Sequence, residues 1–160
     1  MSRPLALAAL VAALSACGGA GAGRVPVEPE PPAHPGVSPA QANFQLVVNE
    51  TVTDPAEEGA SYTVVSVDGV VAGRTAPGAR GAEKRLLLKL EPGNRPLRLE
   101  HWLLPPVGEW APASADRQPR ERFVRVEEGF VTRVFLRLPA SGPAQLIVQR
   151  EPKGTFKLEP

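Results

Sequence analysis

The chain has 160 residues, 42% of them hydrophobic, with 18 basic and 17 acidic side chains and a single cysteine. That length allows one domain and a tail. A net charge of +1 gives no electrostatic pull toward nucleic acid, and one cysteine excludes a disulfide framework.

The first element is Met1-Ser2-Arg3-Pro4, followed by residues 5–14 built only from Leu, Ala and Val. One positive charge, an apolar stretch and then small residues are the layout of a secretory signal. The stretch falls well short of the roughly 20 residues that cross about 30 Å of hydrocarbon as a helix. It is expected to be an address that is removed, not a permanent span.

The signal ends in Leu14-Ser15-Ala16-Cys17. This tetrapeptide resembles the lipobox of bacterial lipoproteins, where Leu and two small residues precede a Cys that is lipidated before cleavage. The resemblance implies that Cys17 carries a thioether-linked diacylglycerol, becomes the new amino terminus and is acylated there as well. Two or three acyl chains (palmitate-like) give stable attachment, since each buried methylene contributes about 0.8 kcal/mol and one chain holds only marginally. Within residues 1–16 the sole charge is Arg3, so cleavage leaves 144 residues with 17 basic and 17 acidic side chains. Attachment therefore comes from lipid and not from charge. A nucleophilic role for Cys17 would need a neighbouring positive charge or a helix terminus, and its Gly- and Pro-rich surroundings offer neither.

Residues 18–23 are all Gly and Ala, and residues 26–39 are dominated by Pro with Glu28 and Glu30 between. The first part samples many conformations and the second favours extended polyproline geometry, about 3.1 Å per residue or roughly 40 Å in all. Residues 17–43 are thus expected to be a lipidated Cys and a disordered linker. His34 lies in this stretch without a second ligand nearby, which argues against a metal role.

From Phe44 onward the sequence changes to short runs of Val, Leu, Ile, Phe and Thr broken by Gly, Pro, Asn and Asp. That pattern predicts strands over residues 44–50, 62–67, 86–90, 97–103, 122–126, 130–138 and 144–149, with a weak one at 155–158. The expected fold is all-β, a small antiparallel β-sandwich of about seven strands arranged as a hairpin meander, over residues 44–151, with residues 152–160 a C-terminal tail. Asp68-Gly69 is a two-residue hairpin signal, because that turn needs positive φ. Residues 91–95 and 127–129 are expected to turn the following strands back in the same way. In the strongest strand Phe130, Thr132, Val134, Leu136 and Leu138 form the core face by period-two alternation.

Val67-Asp68-Gly69, Gly73-Arg74-Thr75, Leu88-Lys89-Leu90-Glu91-Pro92-Gly93 and Val126-Glu127-Glu128-Gly129 leading into residues 134–138 resemble PEGA-type modules, small extracytoplasmic β domains of bacteria. The resemblance covers residues 61–138. It implies a non-catalytic envelope module and transfers no functional residue.

Candidate chemistry is sparse. His101 shares a strand side with Leu97, Leu99 and Leu103, so a buried, hydrogen-bonded histidine is expected and not a ligand or base; no carboxylate pattern converges on it in the sequence. The pairs Glu57-Glu58 and Glu127-Glu128 are adjacent and point to opposite faces when extended, so they read as solvated turn charges. The long connection after Leu104, up to Glu121, holds Trp110 near Trp102 in sequence, with Arg117 and Arg120 following. These residues are a candidate aromatic and cationic contact surface. No nucleophile elbow, zinc motif or repeated Cys-x-x-Cys is present.

The sequence thus points to a lipid-anchored cell-envelope protein, not an enzyme, with no catalytic residues, cofactor or metal. Its β module is expected to be structural or to bind an envelope protein; the alternative is a glycan- or small-ligand-binding lipoprotein using Trp102 and Trp110. By the same lipoprotein resemblance, Gly18 in place of an inner-membrane retention Asp favours the outer membrane, with the domain in the periplasm. In a single-membrane source the outer face of the plasma membrane is meant instead.

Overall fold

The computed structural model describes residues 37–155; Cys17, the stretch up to residue 36 and the weak strand expected near the C-terminus lie wholly or mostly outside them. Among the described residues ten strands form two sheets, against the seven or so expected, the short strands at 70–74, 78–79 and 111–112 being additional, and both short helices are 3-10 turns. In the first sheet β10 (Gln145–Pro152), β9 (Phe130–Leu138), β1 (Phe44–Glu50) and β5 (Lys84–Leu88) lie in that order. The second sheet is centred on β2 (Ala60–Val67) and β6 (Gly93–Leu104). To β2 are added β3 (Val70–Arg74) and β4 (Gly78–Ala79); to β6, β7 (Ala111–Pro112) and β8 (Arg122–Val126).

The inward faces are those that alternation assigns. Phe44, Leu46 and Val48 of β1 and Val134, Leu136 and Leu138 of β9 form one core with Val65 and Val67 of β2, Leu97 and Leu99 of β6, and Val124 of β8. The expected all-β sandwich is therefore present. Asp68 and Gly69 have φ of 54° and 78°, and the tight turn they form pairs β2 with β3 in register Val67↔Val70.

Two expected hairpins are instead crossovers between the sheets. Residues 89–92 carry the chain from β5, which pairs with β1, to β6, which pairs with β2. Residues 127–129 carry it from β8, paired with β6, to β9, paired with β1. The order is therefore not a meander, and β1 and β9 run parallel, Phe44↔Thr132 to Glu50↔Leu138. The physical reason is that strand β1 buries Phe44, Leu46, Val48 and Glu50 on its inner side and Gln45 and Val47 on its outer one. A strand covered on both faces takes a central place, here between β5 and β9, instead of an edge.

The residues just before β1 belong to the fold. Ala42 is fully buried and, with Val37, packs on Leu87 and Val131, which lie on the outer face of the first sheet. Asn43 continues the sheet with its side chain: its amide donates to Leu90 O at 2.7 Å and its Oδ1 accepts from Leu90 N at 2.7 Å. One side-chain amide thus does the work of a strand peptide, pairing with both main-chain groups of a single residue.

Candidate functional site

Two places in the domain gather polar or aromatic chemistry. The first is a charge cluster at the end of the sandwich where β1 finishes. Glu50 points inward from β1 and its side chain is fully shielded from solvent. Its Oε1 accepts from Arg80 Nη2 at 2.7 Å and Nε at 3.0 Å, and from Arg117 Nη2 at 3.1 Å. Its Oε2 lies 3.3 Å from His101 Nε2. Burial pushes the Glu50 carboxyl up, but hydrogen bonds from His101 and Arg80 and their charges outweigh it and hold the group down at about 2. An ionised carboxylate only accepts, so His101 Nε2 donates to Glu50, and Nδ1 is hydrogen-bonded to Thr63 Oγ1 at 2.9 Å.

The carboxylate and the imidazole are fully shielded, and the two guanidiniums are nearly so. Arg80 also donates to Glu57 O at 2.8 Å, and Arg117 to Pro139 O at 2.9 Å, so each guanidinium staples a loop to the end of the sandwich. Lys84, buried on β5, donates to the carbonyls of Ala79, Arg80 and Ala82. Burial pulls its ammonium below the usual 10.5, and Glu50's charge works against that. Ser61 is buried nearby on the same inner face of β2, yet both nitrogens of His101 are already engaged. The hydroxyl that meets the imidazole is that of Thr63, and both residues are fully buried.

This arrangement corrects two expectations. A carboxylate does converge on His101, although it comes from 51 residues away. Arg117 does not belong to a cationic surface: its side chain is 15% exposed and its charge faces Glu50. The expectation for His101 itself, buried and hydrogen-bonded, holds. The acidic pairs are turn charges, with Glu58 exposed and accepting from Gly81 N, and Glu127 paired to Arg150 at 2.6 Å.

The second place is the outer face of the second sheet. Here Tyr62 of β2 brings the two tryptophans together. Its ring lies parallel to that of Trp102, 6.1 Å between centroids, and meets Trp110 edge-on at 4.8 Å. Arg74 covers the Tyr62 ring at 5.4 Å. The connection between β7 and β8 is not structureless, since it contains the 3-10 turn Ala115–Arg117. Between this connection and β6 lies a hollow of about 850 Å³, whose lining includes Trp102, Pro112, Glu100, Arg98, Leu99 and Glu121.

Gln118 fixes this connection in place. Its Oε1 accepts from His101 N at 2.9 Å, and its Nε2 donates to His101 O at 2.9 Å and Ala113 O at 3.1 Å. It repeats on β6 what Asn43 does at Leu90, and nothing in the sequence marks it beyond being an amide in a long loop.

Among the described residues no group of three or more His, Cys, Asp or Glu is placed to hold a metal, and no helix is long and apolar enough to cross a membrane. No family model, curated protein or solved structure matches the chain.

Proposed function

We propose that this protein is a lipid-anchored component of a bacterial envelope, attached through Cys17 and most consistent with the outer membrane, whose β-sandwich is a non-catalytic structural or protein-binding module. The observation that carries the binding role is the asymmetry of the two outer faces. The first sheet receives the N-terminal approach of the chain, with Val37 and Ala42 packed on Leu87 and Val131. The exposed large apolar side chains, Val70, Val71, Val107 and Phe123, all lie on the second sheet or its loops. A domain entered over one face, with its exposed large apolar side chains on the other sheet, suits a module that is held from behind and makes contact in front. The closed state of the Glu50 cluster supports the non-catalytic part of the reading.

The anchor is tested by the intact mass of the protein extracted from membranes, beside a Cys17→Ala variant. The native chain should lack residues 1–16 and carry acyl mass, and the variant should not. Two soluble, unlipidated chains would remove the anchor from the proposal. Crosslinking in intact envelopes then tests the contact face: defined partners trapped from Phe123 and Val71 are expected, and random neighbours would count against it.

A second reading is favoured by the hollow beside Trp102. A concave site with an indole, a proline ring and several carboxylates is suited to a glycan or a small polar ligand.

A further inference from the structure

We infer that the free edge of β10 is a docking edge for the chain's own C-terminal segment: residues 156–159 return antiparallel along it as one further short strand and close it.

The alternation of main-chain groups along β10 shows which of them face outward. Just past the strand Lys153 N donates to Gly129 O, beside β9, at 2.8 Å, so odd-numbered residues direct their groups toward β9. Even-numbered residues direct theirs the other way. Two bonds agree with this: Ala144 N donates to Asp116 O at 3.0 Å, and Leu146 O accepts from Arg122 Nη1 at 3.0 Å, both from outside the first sheet. β10 is the border strand of that sheet, so Val148 and Arg150 turn their N–H and C=O groups to the open side. Among the described residues no turn or side-chain bond reaches these groups.

An open border is a template for another strand. This one is short, because Asp116 and Arg122 occupy it as far as Leu146. Addition of a strand from a partner or a second copy needs a longer run of outward-facing residues than Val148 and Arg150 offer. A short return strand fits, and the chain is aimed to supply it. Pro152, the next even-numbered residue, accepts from Thr155 N at 3.3 Å, and Gly154 between them takes the positive φ, 88°, of a tight turn. The turn therefore closes on the open side of β10 and sends the chain back along it.

The register follows from that closing bond. It sets residue 157 opposite Arg150 and residue 159 opposite Val148 as hydrogen-bonded pairs, with Leu158 opposite Gln149 between them. These pairs supply a partner to each outward N–H and C=O of Val148 and Arg150. Phe156, Lys157, Leu158 and Glu159 alternate apolar and charged, as a border strand does. Phe156 and Leu158 then share the face of Ile147, and Glu159 lies diagonal to Arg150. Lys157 meets Arg150 directly, where Glu127, 2.6 Å from Arg150, offsets the like charges.

The experiment is amide hydrogen exchange followed by NMR on the full chain, beside a chain ending at Thr155. The Val148 and Arg150 amides should exchange at least about tenfold faster in the shortened chain, while those of Ile147 and Gln149, on the β9 side, keep their rates. A second measurement needs no shortened chain. In the full chain with Cys17→Ala, Gln149→Cys with Leu158→Cys should close an internal disulfide, since Cβ atoms in such a pair lie about 4.5–5.5 Å apart. Gln149→Cys with Lys157→Cys, on opposite faces, should not. Equal exchange at Val148 and Arg150 in the two chains would overturn the inference, as would an equal yield of both disulfides or of neither. Protection that grows with protein concentration would give the edge to a second copy and overturn it as well.

Discussion

At the scale of single residues, Glu50 governs the stability of the domain. Its carboxylate is shared by Arg80, Arg117 and His101 in a site shut off from water, and removing one member of such a set leaves the others buried without compensation. Glu50→Gln is therefore expected to cost about 3–5 kcal/mol, measured by urea unfolding at neutral pH. The pH dependence follows from the same group. Its carboxyl is held at about 2 in the folded chain against 4.5 when free, so on acidification the unfolded chain takes up the proton first. The stabilisation, about 3 kcal/mol, is complete above about 4.5 and is lost as pH falls from there toward 2. In Glu50→Gln this slope of stability against pH should vanish. None of the cluster was legible in the sequence beyond the burial of His101. Glu50 meets its partners across 30, 51 and 67 residues, and no local pattern encodes a contact that only the pairing of two sheets creates.

At the scale of elements, the longer strands were legible, the short β3, β4 and β7 were not, and most of the pairings were not. The strands at Phe44–Glu50, Arg122–Val126 and Phe130–Leu138 begin and end as alternation and turn residues dictate. A turn residue reports that the chain changes direction, but it does not say whether the next strand lies beside the last or across the core from it. Asp68-Gly69 makes a hairpin because both residues take positive φ over two positions. The segments after β5 and β8 also carry turn residues, Pro92 and Gly129, yet the strands they join belong to different sheets. Gln118 illustrates what a loop side chain contributes to an element. In Gln118→Ala the His101 N–H, shielded beneath the loop, loses its acceptor, while His101 O keeps Ala113 N at 2.9 Å. The expected loss is about 1–3 kcal/mol, with faster hydrogen exchange at the His101 amide while the Leu46 amide stays protected under native conditions.

At the scale of the whole molecule, the folded unit reaches back past the first strand. The Pro-rich composition before Phe44 reads as linker throughout, and the seal that Val37, Ala42 and Asn43 place on the first sheet comes from two small apolar side chains and one amide among prolines and alanines. A chain beginning at Phe44 would uncover Leu87 and Val131 and release Leu90 from both of its bonds to Asn43. Its stability should fall by about 3 kcal/mol relative to a chain beginning at Val37, as read from urea midpoints at matched slope. Equal midpoints would show that the approach segment lies on the sheet without supporting it.

The placement of β1 has a mechanical side. Any load drawn through the N-terminal approach enters at Asn43 and passes directly into β1, which is hydrogen-bonded on both edges, to β5 and to β9. Tension along that strand must shear two ladders together, where a terminal strand at the sheet border would peel off one bond at a time. If the domain is held by this end, as proposed, it is gripped by a strand bonded along both edges, which resists tugging better than a border strand would.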